Sequence, residues 1–253
     1  MAYWKSEALC LRVLDWRETS HIVTWFSRER GKIATVAKGA RRRGSRLFGV
    51  LDPLVRAELV CYRRAGTTGL HTLCELEIRD TFREARREAC RLHAALYVLE
   101  LLREATAEED PHPRLYDLAV RALGRLARNR TYNPLTIMVF EVLALAELGR
   151  LPELSRCVQC GREAAAAAAW PLLAELGGLV CPDCAARLPG ACGDRQVLAP
   201  QARAALRALA AGPEQAGTLA LGPAALAAMR GALDASLAAY LGRPLRLARY
   251  LAR

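Results

Sequence analysis

The rhythm of hydrophobic and polar positions changes once along the chain, near residue 80. Before that point, short runs rich in Val, Ile, Thr and aromatic residues predict five strands. They lie at Ser6–Asp15, His21–Ser27, Gly31–Lys38, Leu54–Arg63 and Leu70–Asp80. Period two is clearest in the fourth, where Val55, Ala57, Leu59 and Cys61 are expected inward and Arg56, Glu58 and Tyr62 outward. The fifth repeats it, with Cys74, Leu76 and Ile78 expected inward and Glu75 and Glu77 outward. Five strands in so short a span, the first three closely linked, predict a small closed barrel. An oligonucleotide-binding (OB) fold and an SH3-like barrel both satisfy the strand count.

From Thr81 onward the period is that of helices. Leu92, Leu96, Leu99 and Leu102 share one stripe, and Leu115, Leu118, Ala122 and Leu126 share another. Leu135, Met138, Val139, Val142 and Leu143 form a third, which Gly149 is expected to end. Two more helices are predicted at Pro200–Ala211 and Pro223–Leu241, each opened by a proline in its first turn. The fold class is therefore α+β, with a barrel over residues 1–80 and a helical domain over 81–253. Hydrophobic residues make up 53% and charged residues 25% of the 253, a globular balance. Apolar runs such as Ala164–Ala174 are too short to cross a bilayer, and MAYWKSEALC lacks the layout of a secretion signal. A cytoplasmic chain with no membrane partner is expected.

Charge changes this picture more than composition does. The formal net charge is +11, and it is concentrated where the third strand runs into GKIATVAKGARRRGSR. Arg28, Arg30, Lys32, Lys38, Arg41, Arg42, Arg43 and Arg46 stand there against Glu29 alone. Such density is unfavourable without an anionic partner, so these residues are the candidate nucleic-acid contacts. Arginine's planar fork grips phosphate oxygens, and Gly39, Gly44 and Gly49 let a loop follow them. This loop is expected to contribute little to the barrel core. Trp16, Trp25 and Phe26 are candidates for base stacking, although Trp25 and Phe26, adjacent on a strand, also fit the core.

A second signal is RCVQCG followed by CPDC. Cys157 and Cys160 form one CxxC and Cys181 and Cys184 another, separated by 20 residues, the spacing of a four-cysteine zinc site. Gly161 relieves the backbone where the first turn closes. Four thiolates leave no open position, so the expected Zn2+, one per chain, is structural and staples an insertion over about 154–188. Cys10, Cys61 and Cys74 are expected to pack in strands and Cys90 lies in a helix, while Cys192 is near enough to be a spare ligand. Catalytic groups are lacking. His21, His71, His93 and His112 have no metal or triad spacing, and GARRRGSR has no Walker pattern. No enzyme and no small-molecule substrate are expected. A zinc-stabilised transcription regulator would need a recognition helix, and none carries that signature. A pure adaptor protein would leave the arginine cluster unexplained.

The order of these parts resembles the bacterial recombination mediator family RecO. GKIATVAKGARR, EVLALAELGRLPELSRCVQCG, CPDC and the closing LGRPLRLARYLA carry the resemblance, and the cysteines place the chain in a zinc-containing subset. The resemblance implies an OB-fold barrel followed by an α-helical domain. It also implies a nucleoid-associated role in DNA repair and recombination, with binding of single- and double-stranded DNA without strong sequence preference. ATP-free strand annealing, and loading of recombinase with RecR onto strands coated by single-strand-binding protein, are further implications. The acidic C-terminal tail of that coating protein needs an arginine-rimmed receiver, for which Arg121, Arg125 and Arg128, with Arg130 and Tyr132 just beyond, are the candidates.

Overall fold

The computed structural model describes residues 2–63, 69–129, 131–188, 196–212 and 221–251. Five strands, β1 (Ala2–Trp16), β2 (Ser20–Ser27), β3 (Gly31–Ala37), β4 (Arg56–Arg63) and β5 (Leu70–Asp80), close into a barrel in the order β1-β2-β3-β5-β4. All neighbours are antiparallel except β3 and β5, which pair in parallel through Ala34–Leu70, Thr35–His71 and Val36–Thr72. This is the OB fold, and the strand order settles what strand count left open. Long β1 serves two neighbours: its first half pairs with β4 and its second with β2.

The predicted alternation holds in β4, where Ala57, Leu59 and Cys61 are fully buried. In β5 it does not. His71 and Leu73 point inward, whereas Cys74 and Ile78 are exposed. The ladder is irregular between Val60, opposite Glu75, and Cys61, opposite Leu73. Cys74 is the extra residue of a β-bulge, which shifts the phase of the alternation by one, so Leu76 returns to the core. Trp25 fills the barrel and donates from Nε1 to Thr35 Oγ1 at 2.9 Å. Phe26 faces the other way and is equally buried, its ring 6.4 Å from that of Tyr116.

Among the described residues six α-helices follow: α1 (Ala89–Ala105), α2 (Pro113–Arg128), α3 (Leu135–Glu147), α4 (Pro182–Arg187), α5 (Pro200–Ala211) and α6 (Pro223–Leu241). Two compact units result, Met1–Tyr132 with Arg249–Arg253, and Asn133–Ala248. Helices α1 and α2 thus group with the barrel. In the second unit, α3, α5 and α6 pack on one another. A small sheet, β6 (Trp170–Leu173), β7 (Gly178–Leu179) and β8 (Gln196–Leu198), together with α4, interrupts them between α3 and α5. Gly149 takes φ +66° after α3, and the Arg150 amide reaches back to Leu145 O at 2.7 Å. A carboxylate is fully buried between helices of this unit. Glu141 of α3 receives two bonds of 2.7 Å from Arg230 of α6, which also pairs with Asp234 at 2.9 Å. No helix among the described residues is long and apolar enough to cross a membrane.

Candidate functional site

Strand β3 separates the eight basic residues into two groups. Its seven residues span roughly 20 Å at about 3.3 Å per residue. At its start, the cations are engaged by the fold. Arg28 holds Asp117 of α2 through Nε and Nη2 at 3.0 and 3.1 Å, and that bond raises its already high pKa. The Arg30 guanidinium lies 4.7 Å from the Trp4 ring centroid. Lys32 donates from Nζ to the carbonyls of Arg103 at 2.7 Å and Thr106 at 2.6 Å, at the C-terminal end of α1. A cation is favoured there by the helix dipole, and burial lowers the Lys32 pKa.

At the other end, Lys38, Arg41, Arg42, Arg43 and Arg46 are all exposed in the β3–β4 connection. This connection is a chain of tight turns, with Arg42 N to Gly39 O at 3.0 Å, Ser45 N to Arg42 O at 3.0 Å and Phe48 N to Ser45 O at 3.1 Å. Gly39 and Gly44, at φ +70° and +89°, supply the left-handed residues that these turns require. Contrary to expectation, the loop belongs to the core. Ala40 is 1% exposed, and Leu47 and Leu51 pack against the barrel interior. Apolar anchors therefore hold the backbone while the arginines project from it.

Arg41 ties this loop to the β1–β2 turn. Its amide donates to Thr19 O at 3.0 Å, Nη1 donates to Arg17 O at 3.2 Å, and Nη2 lies 3.4 Å from Asp15. Lys38, Arg42, Arg43 and Arg46 form no ion pair among the described residues. Sequence reasoning missed Arg17, which folding brings beside Arg41 although 24 positions separate them. Its signal was the turn Asp-Trp-Arg-Glu, where an arginine follows an exposed Trp16. Trp25 and Phe26 are 0% exposed and cannot stack on bases.

Helix α2 carries a second cationic row. Leu115, Tyr116, Ala119, Leu123 and Leu126 bury one face, leaving Arg121, Arg125 and Arg128 exposed on the other. Tyr132 is half-buried, and Arg130 lies outside the described residues.

In the second unit, Cys157, Cys160, Cys181 and Cys184 converge, with their sulfurs all within 4.8 Å of one another. The Cys160 and Cys181 sulfurs are 3.7 Å apart, far beyond a disulfide and close to the ~3.8 Å edge of a tetrahedron with metal–sulfur bonds of about 2.3 Å. Burial resists ionisation of Cys157, but the amides of Cys181, Cys160 and Gln159 outweigh it and hold the thiol down at about 6. Bonding to the Cys181 and Cys160 sulfurs pushes Cys184 up to about 12. Four thiolates can coexist here only around a cation, so the cluster could hold a metal ion. Gly161, at φ +74°, closes the first turn, as its place in the sequence predicts. Gly178 was not singled out by sequence. A Cβ there would lie 2.8 Å from Glu153 O and Val158 Cγ1, so only glycine lets β7 approach the first cysteine turn. Cys10 and Cys61 are buried as expected, Cys74 is exposed by its bulge, and Cys192 lies outside the described residues.

Comparison with known proteins accounts for both units. Residues 1–82 match the family described as Recombination protein O N terminal, and residues 86–248 match Recombination protein O C terminal. The chain belongs to the RecO family. It is 32% identical over its whole length to a DNA repair protein RecO from Myxococcus xanthus (strain DK1622), covering 98% of that protein. A DNA repair protein RecO from Anaeromyxobacter sp. (strain Fw109-5) is 32% identical over 98% of the chain and 94% of its own length. One from Rhodopirellula baltica (strain DSM 10527 / NCIMB 13988 / SH1) is 37% identical over 70% of the chain; this match spans 65% of that relative.

Proposed function

We propose that this RecO-family chain acts in DNA repair as a non-catalytic, DNA-binding recombination mediator. The observation that carries this reading is the β3–β4 loop, which presents Lys38, Arg42, Arg43 and Arg46 to solvent without acidic partners on an anchored backbone. Phosphate contacts of this kind position a strand without reading its bases, so single and double strands bind with little sequence preference. Arginines lying between two strands screen their mutual repulsion, so annealing proceeds without ATP. The same surface would present a strand to recombinase, with RecR and the single-strand-binding protein as partners. The exposed row Arg121, Arg125 and Arg128 is the proposed receiver for that protein's acidic tail.

Cys157, Cys160, Cys181 and Cys184 would hold one zinc ion. A closed tetrathiolate offers structural cross-linking and no site for substrate, so its contribution is to fix the inserted sheet and α4. The domain reading that accompanies this proposal is a DNA-binding barrel over 1–80, followed by a helical part with the zinc insertion at about 154–188.

The test is a triple substitution, Arg42→Ala, Arg43→Ala and Arg46→Ala. Each phosphate contact contributes about 0.7–0.9 to the log–log salt slope of affinity, so the slope should flatten by roughly 2–3 and nucleotide-free annealing should slow with it. A folded triple variant that keeps the parent slope would place the DNA on another surface.

A further inference from the structure

Several apolar residues of the β3–β4 loop, Ala40, Leu47 and Leu51 among them, pack against the barrel core. Leu47 packs against the core, yet its neighbour Phe48 is 51% exposed, on the segment that also carries Arg46. Trp16 is 42% exposed at the end of β1, and the Arg17 guanidinium lies 5.9 Å from its ring centroid. Burial was available to the loop, as Ala40 and Leu51 demonstrate, so Phe48 is not exposed for want of a core. Phe48 stands two positions after Arg46 and Trp16 immediately before Arg17. Neither arginine forms an ion pair among the described residues, while Arg41, paired with Asp15, binds the β1–β2 turn to the loop.

We propose that Trp16 and Phe48 stack on unpaired bases, making the barrel favour single-stranded over duplex DNA. The inference rests on the reading that phosphates track the arginine loop, and it adds the feature that distinguishes substrates. Phosphates are common to both forms of DNA and cannot separate them. A base face is open only in a single strand, since duplex bases cover one another. A base lying on an open ring also keeps its pairing edge free for a complementary strand.

The experiment uses the full chain with Trp16→Ala and Phe48→Ala, and the ring-keeping Trp16→Phe and Phe48→Tyr. Three probes are compared: an oligothymidylate, a duplex of the same length, and a single strand lacking bases. Each alanine variant should lose about five-fold or more in oligothymidylate affinity. Affinity for the duplex and for the abasic strand should be unchanged, as should the salt slope, and the ring-keeping variants should retain oligothymidylate binding. Unchanged melting temperatures establish that the variants are folded. Alanine variants that bind oligothymidylate like the parent, or that lose duplex and abasic binding equally, overturn the inference. If the arginine triple variant flattens the slope while these variants are silent, stacking fails and the phosphate reading stands. If the triple variant keeps the parent slope, both fall.

Discussion

Lys32 offers a sharp separation of structural from DNA-contacting charge, because it lies in the same basic window as Arg42 yet has an opposite setting. Replacing it with Met keeps most of the apolar stem and removes the ammonium. Two bonds are lost, of 2.7 Å to Arg103 O and 2.6 Å to Thr106 O. Hydrogen bonds to a charged group are worth about 1.5–3 kcal/mol each, and a cation at a helix C-terminus adds about 0.3–1 kcal/mol. Against this stands the burial that lowers the Lys32 pKa, a cost that Met does not carry. The net loss should be about 2 kcal/mol, a fall of roughly 5–10 °C in the Tm of a unit this size. Thermal unfolding followed by circular dichroism measures the first effect, and salt-dependent anisotropy of labelled DNA, below the melting range, measures the second. Lys32→Met should melt early and keep the parent salt slope. A variant with an unchanged Tm and a slope flattened by about 0.7–0.9 would refute the reasoning and put Lys32 on the phosphates.

Purified, reduced protein should contain about one zinc per chain, and Cys157→Ala or Cys181→Ala should lower the Tm far more than DNA affinity; metal analysis finding no zinc would end that expectation. Glu141→Ala should cost about 3 kcal/mol by removing both buried bonds to Arg230 and leaving it the part-exposed Asp234 alone, and the double variant Glu141→Leu, Arg230→Met should recover much of it in denaturant titrations. His71 accepts from Trp4 Nε1 at 3.2 Å and is held below its usual pKa, chiefly by burial. Its neutral form is the one the barrel accommodates, so stability should be fully present above about pH 6.5 and decline as pH falls through the lowered value; His71→Gln should abolish that part of the acid sensitivity. Reversing charge with Arg121→Glu and Arg125→Glu should weaken binding of an acidic, Phe-terminated tail peptide in calorimetry, and unchanged affinity would move that receiver elsewhere.

Sequence by itself determined most of the elements. Short runs rich in β-branched and aromatic residues located all five strands to within a few residues, and prolines marked the starts of α5 and α6, because local sterics and one-sided burial act at short range. The paired CxxC motifs were equally legible, since two turns of two ligands are a local requirement. Sequence could not announce the bulge at Cys74, which follows from how β5 must register against β4. Nor could it divide the basic window. Eight cations within 19 positions read as one patch, but β3 carries them to opposite ends of the barrel. There Asp117, Trp4 and the α1 carbonyls, all distant in the chain, engage Arg28, Arg30 and Lys32. The fate of Leu47 and Phe48 was decided in the same way, one packing on the interior and its neighbour left in water. Charge and apolarity are properties of a residue; whether either is still available to a ligand depends on what long-range packing sets against it, and only the tertiary structure supplies that partner.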